Sequence, residues 1–525
     1  MRKITIALAL MTLPFAGNAQ YAFDVLHYNQ SQLSGTSRYM SMAGAFGALG
    51  GDISAVNNNP GGIGIYRSSD ANITFSLDMN SSQATGEKQS NTRFTVNSIG
   101  YVGAIRMNSD VMPNLNFGFT YNRNNSFRRH YTGYMSGIPT SVTNYIAEKT
   151  MQDKMTVADL TKKNAYFDGY ALWDQIAAYQ TYLINPTDSE GKKFSGLGYD
   201  GVFGEAEFEV EEWGHTDEYN VTFGGNIKNQ LYWGVGFGFT ELEYDSYKYY
   251  GEVLNNTVIH DQVEKPESSV LVDGKAALGI VNSSHTDGFG INAKFGVIYK
   301  PVNELRLGVA IHTPTRMSLK DTYGGNISAE YSGEKVKKNY TIVEKYPDNT
   351  VRYDLVTPWK FMGSAAAVVG GKAILSADYE YEASQYMRIC DDRGHELADA
   401  TDEIKAYLQP VHTMRVGAEY RVSPKFSLRA GYSYQTSAAQ DAVKDDKIDV
   451  EVSGCNPAYS YDKSNQHITA GFGYHSGSFY FDMAYVNQLR KTNYHAFSGI
   501  ADLPTVCTEV KDNNNRVTAT VGFRF

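Results

Sequence analysis

Apolar runs long enough to cross a membrane as helices are missing from this chain once its first residues are set aside. After residue 15 no stretch approaches the ~20 consecutive apolar residues that a spanning helix needs, which argues against a helical inner-membrane protein. Basic residues are outnumbered, with 47 Lys and Arg against 57 Asp and Glu and a net charge of −10. This balance argues against a nucleic-acid partner and suits a solvated extracellular surface.

Cysteine is scarce, and metal-binding signatures are absent. Cys390, Cys455 and Cys507 allow at most one intramolecular disulfide and contain no C-x-x-C spacing. The acidic residues within 205–218 lack the alternating spacing and central glycine of an EF-hand loop. We therefore expect no metal site and interpret the acidic stretch as a solvated loop surface.

Catalytic signatures are also missing. The 11 histidines form no H-E-x-x-H pair, and the sequence Gly-Tyr-His-Ser-Gly at 473–477 has histidine where a G-x-S-x-G elbow requires its nucleophile. No Gly-Lys-Ser/Thr follows the glycine-rich segments, so a phosphate-binding loop is not indicated. We expect no enzyme and no cofactor, although spacing alone leaves open a hydrolase whose Ser and His meet on a barrel wall.

The N-terminus has the pattern of an export signal. Arg2 and Lys3 precede an apolar run over residues 4–15, and the small residues Gly17 and Ala19 follow. This pattern predicts a cleaved signal peptide over residues 1–19, with the mature chain beginning at Gln20.

Residues 35–67 are crowded with Gly, Ala, Ser and Asn. Glycine allows close backbone approach, so such a segment packs well in a narrow space. The sequence Asn-Asn-Asn-Pro-Gly-Gly at 57–62 predicts a tight turn. We interpret residues 20–69 as a compact hatch, or plug, inside a barrel formed by residues 70–525.

Two-residue alternation recurs from Ala71 to the C-terminus, which is the signature of a transmembrane β-barrel. Leu305, Leu307, Val309 and Ile311, for example, alternate with polar or small residues. A soluble β-sandwich also alternates, but it seldom sustains so many long strands. We predict an all-β, antiparallel barrel of about fourteen strands near residues 70–80, 92–107, 114–127, 217–228, 230–248, 286–300, 302–319, 352–369, 372–388, 410–422, 424–436, 465–476, 478–491 and 514–525.

Short and long connections alternate between these predicted strands, as expected for periplasmic turns and extracellular loops. Residues 128–216 form the longest predicted loop, and part of it has helical spacing. Trp173, Ile176, Ala177, Gln180 and Leu183, which are mostly apolar, fall at three- and four-residue spacing. This apolar face either packs on its own loop or barrel mouth, or lines a groove that captures a hydrophobic ligand.

Several motifs resemble the FadL-type family of outer-membrane transporters for long-chain fatty acids and aromatic hydrocarbons. Asp52 and the sequence Asn-Pro-Gly-Gly-Ile-Gly at 59–64 lie in the region of greatest similarity, and Thr-Pro-Trp-Lys at 357–360 is also similar. Family members often have Asn-Pro-Ala in the hatch, whereas this chain has Gly61. The resemblance extends over essentially the whole mature chain, but not visibly over its long external loops.

The resemblance implies a monomeric outer-membrane protein, surrounded by lipid, for passive uptake of fatty-acid-like or hydrocarbon ligands. It further implies capture by external loops, rearrangement of a hatch and lateral release through the barrel wall, with Asn59, Pro60 and Gly61 as the expected gating residues. Two alternatives remain at this point: a non-transporting structural or adhesion barrel, and a porin for polar solutes.

Overall fold

A closed antiparallel barrel forms the body of the protein. The computed structural model describes residues 22–168, 171–198, 203–262, 269–445, 447–448, 450, 457–499 and 504–525; the predicted signal peptide lies outside them. The strands are β1 (Asp70–Gln83), β2 (Gln89–Arg106), β3 (Asn114–Ser126), β4 (Arg129–Ser136), β5 (Asn185–Pro186), β6 (Phe194–Ser195), β7 (Phe203–Ile227), β8 (Leu231–His260), β9 (Leu271–Val302), β10 (Leu305–His312), β11 (Arg316–Ser332), β12 (Tyr340–Lys345), β13 (Asn349–Val356), β14 (Lys360–Val369), β15 (Ala373–Glu382), β16 (Arg388–Asp391), β17 (Val411–Ser423), β18 (Phe426–Thr436), β19 (Tyr459–Ser476), β20 (Phe479–His495) and β21 (Cys507–Arg524).

Fourteen strands form the ring, which confirms the predicted fold class. Its order is β1, β2, β3, β7, β8, β9, β10, β14, β15, β17, β18, β19, β20 and β21, and β21 pairs with β1 to close it. Three ring strands are extended by a neighbouring strand after a short interruption. β4 follows β3, β11 follows β10, and β13 precedes β14. Closure leaves the ring with no free sheet edge where its strands are fully paired.

The alternation seen in the sequence separates an apolar outer face from a polar interior. Leu307, Val309 and Ile311 on β10 are exposed on the outside, as are Phe289 and Phe295 on β9. Intervening positions face the interior and are buried or half-buried. The barrel therefore presents hydrocarbon-like side chains outward, as a lipid-facing barrel requires.

Several predicted external loops are in fact strand. β7 starts at Phe203 and β8 continues to His260, so residues 205–218 belong to a paired strand and do not form the expected loop surface. β8 and β9 together form a hairpin that extends far beyond the apolar band. Its strands continue because ladder hydrogen bonds and an interior apolar core stabilise them where no lipid is present.

Short helices fill the interior and the end of the barrel that carries the long hairpins. They are α1 (Ala22–Asn29), α2 (Ser37–Ser41), α3 (Ala55–Asn58), α4 (Val142–Gln152), α5 (Val157–Leu160), α6 (Ala165–Asp168), α7 (Trp173–Gln180), α8 (Ala398–Tyr407), α9 (Asp441–Lys444) and 3-10 helices at Pro60–Ile65 and Ser384–Tyr386. Among the described residues, no helix combines the length and apolar character that a membrane span requires.

Two apolar clusters occupy the barrel beyond the hatch. In the outer cluster, which we call the headpiece core, α4 and α7 pack against the extended parts of β7, β8, β9 and β11. In the second cluster, α1 packs with α8, with Phe23 stacked 5.4 Å from Tyr459 between ring centroids. α1 is the outermost part of the predicted hatch segment 20–69, and it fills the lumen between the headpiece core and the rest of that segment. Where α1 is named separately, we use "hatch" for residues 30–69.

Candidate functional site

Wall glycines create the space that the hatch occupies. At nine positions, a Cβ added to the wall glycine would lie within 3.0 Å of a hatch atom: Gly100, Gly118, Gly224, Gly234, Gly296, Gly308, Gly417, Gly431 and Gly471. These glycines lie on nine different strands and together form what we call the glycine girdle. The lumen is wide enough for the hatch only because these side chains are missing.

The predicted gating turn is packed directly against this girdle. The Asn59 side chain donates to the Gly47 carbonyl at 2.6 Å and accepts from the Gly61 amide at 3.0 Å. Pro60 begins a 3-10 helix, a position at which its missing N–H is not needed. A Cβ on Gly61 would lie 3.0 Å from the Gly296 backbone, so the turn is seated against the wall.

Polar groups on the wall hold the hatch around its circumference. Arg38 of the hatch pairs with Glu419 at 3.1 Å. The Gly47 amide donates to Asp378 at 2.8 Å, and His312 Nε2 lies 2.8 Å from the Asn58 carbonyl oxygen. His312 therefore faces the lumen, as its alternation predicts.

A polar cavity of about 190 Å³ lies between α1 and the hatch. Hatch residues 30–34 form one side of it, the end of α1 and the hatch residues Tyr39, Ser54, Asn57 and Asn58 also contribute, and wall residues form the rest. Opposite charges lie close together along the wall, with Lys294 2.6 Å from Glu218 and Arg415 3.0 Å from Glu380. The cavity is thus lined by paired charges and amides, in contrast with the apolar cluster around α1.

The barrel wall has a gap, which we call the window, between residues 89–97 of β2 and residues 123–130 of β3 and β4. β2 pairs with β3 only from Ser98, opposite Asn122, to Arg106, opposite Asn114. Beyond Ser98, β2 pairs with β1 alone, and β4 pairs with β7 alone. The Gly86 amide donates to the Thr132 carbonyl at 3.1 Å and bounds the window at its far end.

Hatch residues close the window from inside. The Gln32 amide donates to the Asn124 carbonyl at 2.8 Å, and the Gln32 side chain donates to the Ser126 carbonyl at 3.1 Å. The Ser34 hydroxyl donates to the Asn97 side chain at 3.0 Å. Residues 30–34 therefore line the cavity on one side and bond to both edges of the window on the other. A second depression of about 370 Å³ lies in the window itself, between residues 89–91 and 128–130.

The candidate ligand-groove residues lie in the headpiece core. Trp173, Ile176, Ala177 and Leu183 are all buried there. Trp173 packs 5.2 Å from Tyr323 between ring centroids, and its indole N–H donates to a backbone carbonyl. In this conformation the four side chains are covered by other residues, and their role in ligand capture stays a prediction.

Sequence reasoning missed the window and the role of α1. Strand alternation is present on both sides of the window, and only the missing ladder distinguishes it. The apolar residues Phe23, Val25 and Leu26 were a usable signal for α1, since they are clustered within one helical turn just after the predicted signal peptide.

The chain was compared with known proteins. A family model described as outer membrane protein transport protein (OMPP1/FadL/TodX) matches residues 220–496, just over half of the chain. No curated protein matches. A solved Pseudomonas aeruginosa FadL homologue is 12% identical, with a TM-score of 0.51, over 94% of this chain and 99% of that chain.

Two further solved structures are similar over the same shares, 94% of this chain and 99% of the other. They are the P. putida toluene transporter TodX, with 11% identity and a TM-score of 0.45, and the Ralstonia pickettii toluene transporter TbuX, with 13% identity and a TM-score of 0.44.

Proposed function

Because the chain belongs to the OMPP1/FadL/TodX family of outer membrane transport proteins, we propose that it is a passive channel for hydrophobic compounds. Fatty-acid-like or hydrocarbon molecules are the proposed ligands, and TodX and TbuX are described as toluene transporters. The proposal includes export through a cleaved signal peptide, a hatch over residues 20–69 and a monomer surrounded by outer-membrane lipid.

The ligand enters through the headpiece and meets α1 before it reaches the hatch. The apolar cluster around Phe23 and Leu26 is the part of the lumen where an apolar solute gains from desolvation. α1 occupies this place, so entry requires that the ligand displace or share the apolar contacts of α1. Withdrawal of α1 transmits ligand binding to residues 30–34, which follow it directly in the chain.

Release takes place through the window after residues 30–34 move. The observation that carries this proposal is their position, between the cavity and a wall gap whose strands are not paired with each other. Residues 32–34 are held there by the bonds of Gln32 and Ser34 and by the Arg516 guanidinium, which donates to the Leu33 carbonyl at 2.9 Å. Lateral release spares an apolar ligand the passage through the polar hatch.

The energetics favour movement of this short segment over opening of the wall. Six hydrogen bonds join residues 30–34 to the wall, and at about 0.5–1.5 kcal/mol each they amount to about 3–9 kcal/mol. A ligand offsets their loss to the extent that it binds the open conformation more tightly than the closed one. Separating a fully paired pair of strands would break many more hydrogen bonds, so the window is the preferred exit.

Blocking the window tests the proposal. Ser90 lines the window and is exposed, so Ser90→Trp places a large ring in the gap. We expect uptake of radiolabelled oleate and toluene to fall at least several-fold in bacterial cells that lack their own transporter. Ser283→Trp is the matched control, because Ser283 is exposed on β9 at a point where that strand is paired on both sides, away from the window. Uptake by Ser90→Trp equal to that of wild type would exclude this exit.

A porin for polar solutes is the second candidate, because the cavity lining favours it. Lys294, Glu218, Arg415 and Glu380 all face the cavity, as they would in an aqueous channel. Planar-bilayer recordings separate the two functions. A transporter closed by α1 and the hatch gives negligible conductance for small ions, whereas a porin gives a large and steady one.

A further inference from the structure

A histidine and two glutamates meet on the outer surface of β4 and β7, beside the window. We propose that His130, Glu209 and Glu211 form a binding site for a divalent transition-metal ion such as Zn²⁺. One donor atom from each residue lies within 4.8 Å of the others. The cluster cannot be recognised in the sequence, because His130 is 79 residues from Glu209.

Strand pairing brings these three side chains together on a rigid platform. His130 is directly opposite Glu211 in the β4 to β7 register, and Glu209 lies two residues away on the same face of β7. His130 Nε2 is 2.9 Å from the Glu209 carboxylate and 3.7 Å from the Glu211 carboxylate. A metal ion at this point needs only small rotations of side chains whose backbones are already fixed.

The local charge also favours a cation. His130 is the only basic partner of Glu209 and Glu211 within the part of the chain that the structure describes. Glu205 and Glu207 continue the same face of β7 and extend the row of negative charge. The two carboxylate side chains supply negative charge that a divalent ion neutralises.

A second observation comes from the depression in the window, which His130 and Glu211 help to line. Glu212 also lines it and is only 6% exposed; its Oε1 accepts from the Tyr244 hydroxyl at 3.0 Å, whereas its Oε2 has no hydrogen-bond partner in the described structure. An unpaired buried carboxylate oxygen is costly unless a cation or a donor approaches it. The depression therefore places two of the three donor residues, His130 and Glu211, beside a buried carboxylate that keeps one oxygen unpaired.

The donor set selects the class of metal. Zn²⁺ accepts imidazole nitrogen and carboxylate oxygen together, whereas Ca²⁺ and Mg²⁺ prefer oxygen donors alone. Three protein donors leave at least one coordination position open. His130, Glu209 and Glu211 are each at least one-third exposed, so water or an anionic group from outside can occupy that position.

The test is calorimetric titration of the tag-free, full-length mature protein in detergent with ZnCl₂ after chelator treatment. His130→Gln and Glu211→Gln are compared with Glu207→Gln, the matched control two residues from Glu209 on the same face. Loss of a direct ligand should weaken binding by more than the roughly 10–100-fold that loss of an outer-shell group costs. All variants change surface positions, and circular dichroism checks that each remains folded.

The expected result is one site in wild type and in Glu207→Gln that excess Ca²⁺ and Mg²⁺ do not block. The same site should be lost in His130→Gln and weakened in Glu211→Gln. Equal Zn²⁺ binding by wild type and His130→Gln, or no Zn²⁺ binding by wild type, would overturn the proposal. The titration measures Zn²⁺ binding and not uptake, so its outcome does not depend on whether the transport proposal is correct.

Discussion

Single residues decide how tightly the hatch fits its barrel. Gly61 and Gly296 approach each other through bare backbone, and no side chain can be accommodated between them without a shift. A methyl group at position 61 would force the turn or the wall to shift, so glycine suits this position.

Gly61→Ala should destabilise the protein by about 1–3 kcal/mol, the usual cost of overpacking. The added Cβ would meet the Gly296 carbonyl carbon and oxygen at 3.0 Å. Gly363→Ala is the control, since a Cβ there meets nothing within 4 Å and should change stability by less than about 0.5 kcal/mol. Urea unfolding in detergent measures both. Equal midpoints for Gly61→Ala and wild type would show that the turn is not seated against the wall.

At the scale of single elements, polar contacts fix the placement of helices where apolar packing alone does not. In the headpiece, beyond the apolar band, Glu252 of β8 accepts from the Ser141 hydroxyl at 2.5 Å and from the Val142 amide at 2.8 Å. These bonds satisfy the N-terminus of α4. Burial nevertheless raises the pKa of Glu252 to about 7, because desolvation of the carboxylate outweighs these hydrogen bonds.

The attachment of α4 should weaken as pH rises. The folded state binds the Glu252 proton more tightly than the unfolded chain, whose pKa is near 4.5, so stability falls between about pH 4.5 and 7. Glu252→Gln keeps an acceptor for Val142 and removes this titration. Hydrogen-exchange protection of α4, corrected for intrinsic rates, should fall with pH in wild type and fall less in the variant. Burial also raises the pKa of Asp174 to about 7, so the part of the pH dependence that Asp174 causes remains in the variant.

Sequence patterns predicted the elements better than their contacts. Alternation identified all fourteen ring strands because each has a lipid-facing side, as Leu307 and Val309 illustrate. The predicted strands were shorter than β7 and β8. In the extended parts of these two strands the apolar residues face the headpiece core and the other face is in water, so the pattern of a lipid-facing strand is reversed. Helical spacing around Trp173 indicated a helix but not what covers it.

The window could not be predicted, because it is an absence of pairing between residues that read as ordinary strand. The proposed metal site could not be predicted from sequence either, because only the register between β4 and β7 places His130 opposite Glu211. For the gating turn, sequence indicated a tight bend at Asn59 and Pro60, and its role in opening stays a prediction. What the structure adds is a separate segment, residues 30–34, at the place where the wall is incomplete.

At the scale of the whole molecule, three layers are stacked within one ring. The headpiece core closes one end, α1 and its apolar cluster fill the middle, and the hatch fills the other end against the glycine girdle. In the proposed mechanism these contents move while the wall stays fixed, and a ligand leaves through the window without passing the hatch.

A reversible cross-link between hatch and wall tests this central claim most directly. In a background with Cys390, Cys455 and Cys507 replaced by Ser, Ser34→Cys and Asn97→Cys place thiols where side-chain oxygens are 3.0 Å apart. Ser246→Cys with Ser284→Cys is the control pair, since these residues face each other on the paired strands β8 and β9. Oleate and toluene uptake should fall to background when the first pair is oxidised, return on reduction, and stay unchanged for the control pair. Full uptake through the oxidised Ser34 and Asn97 cross-link would contradict release through the window.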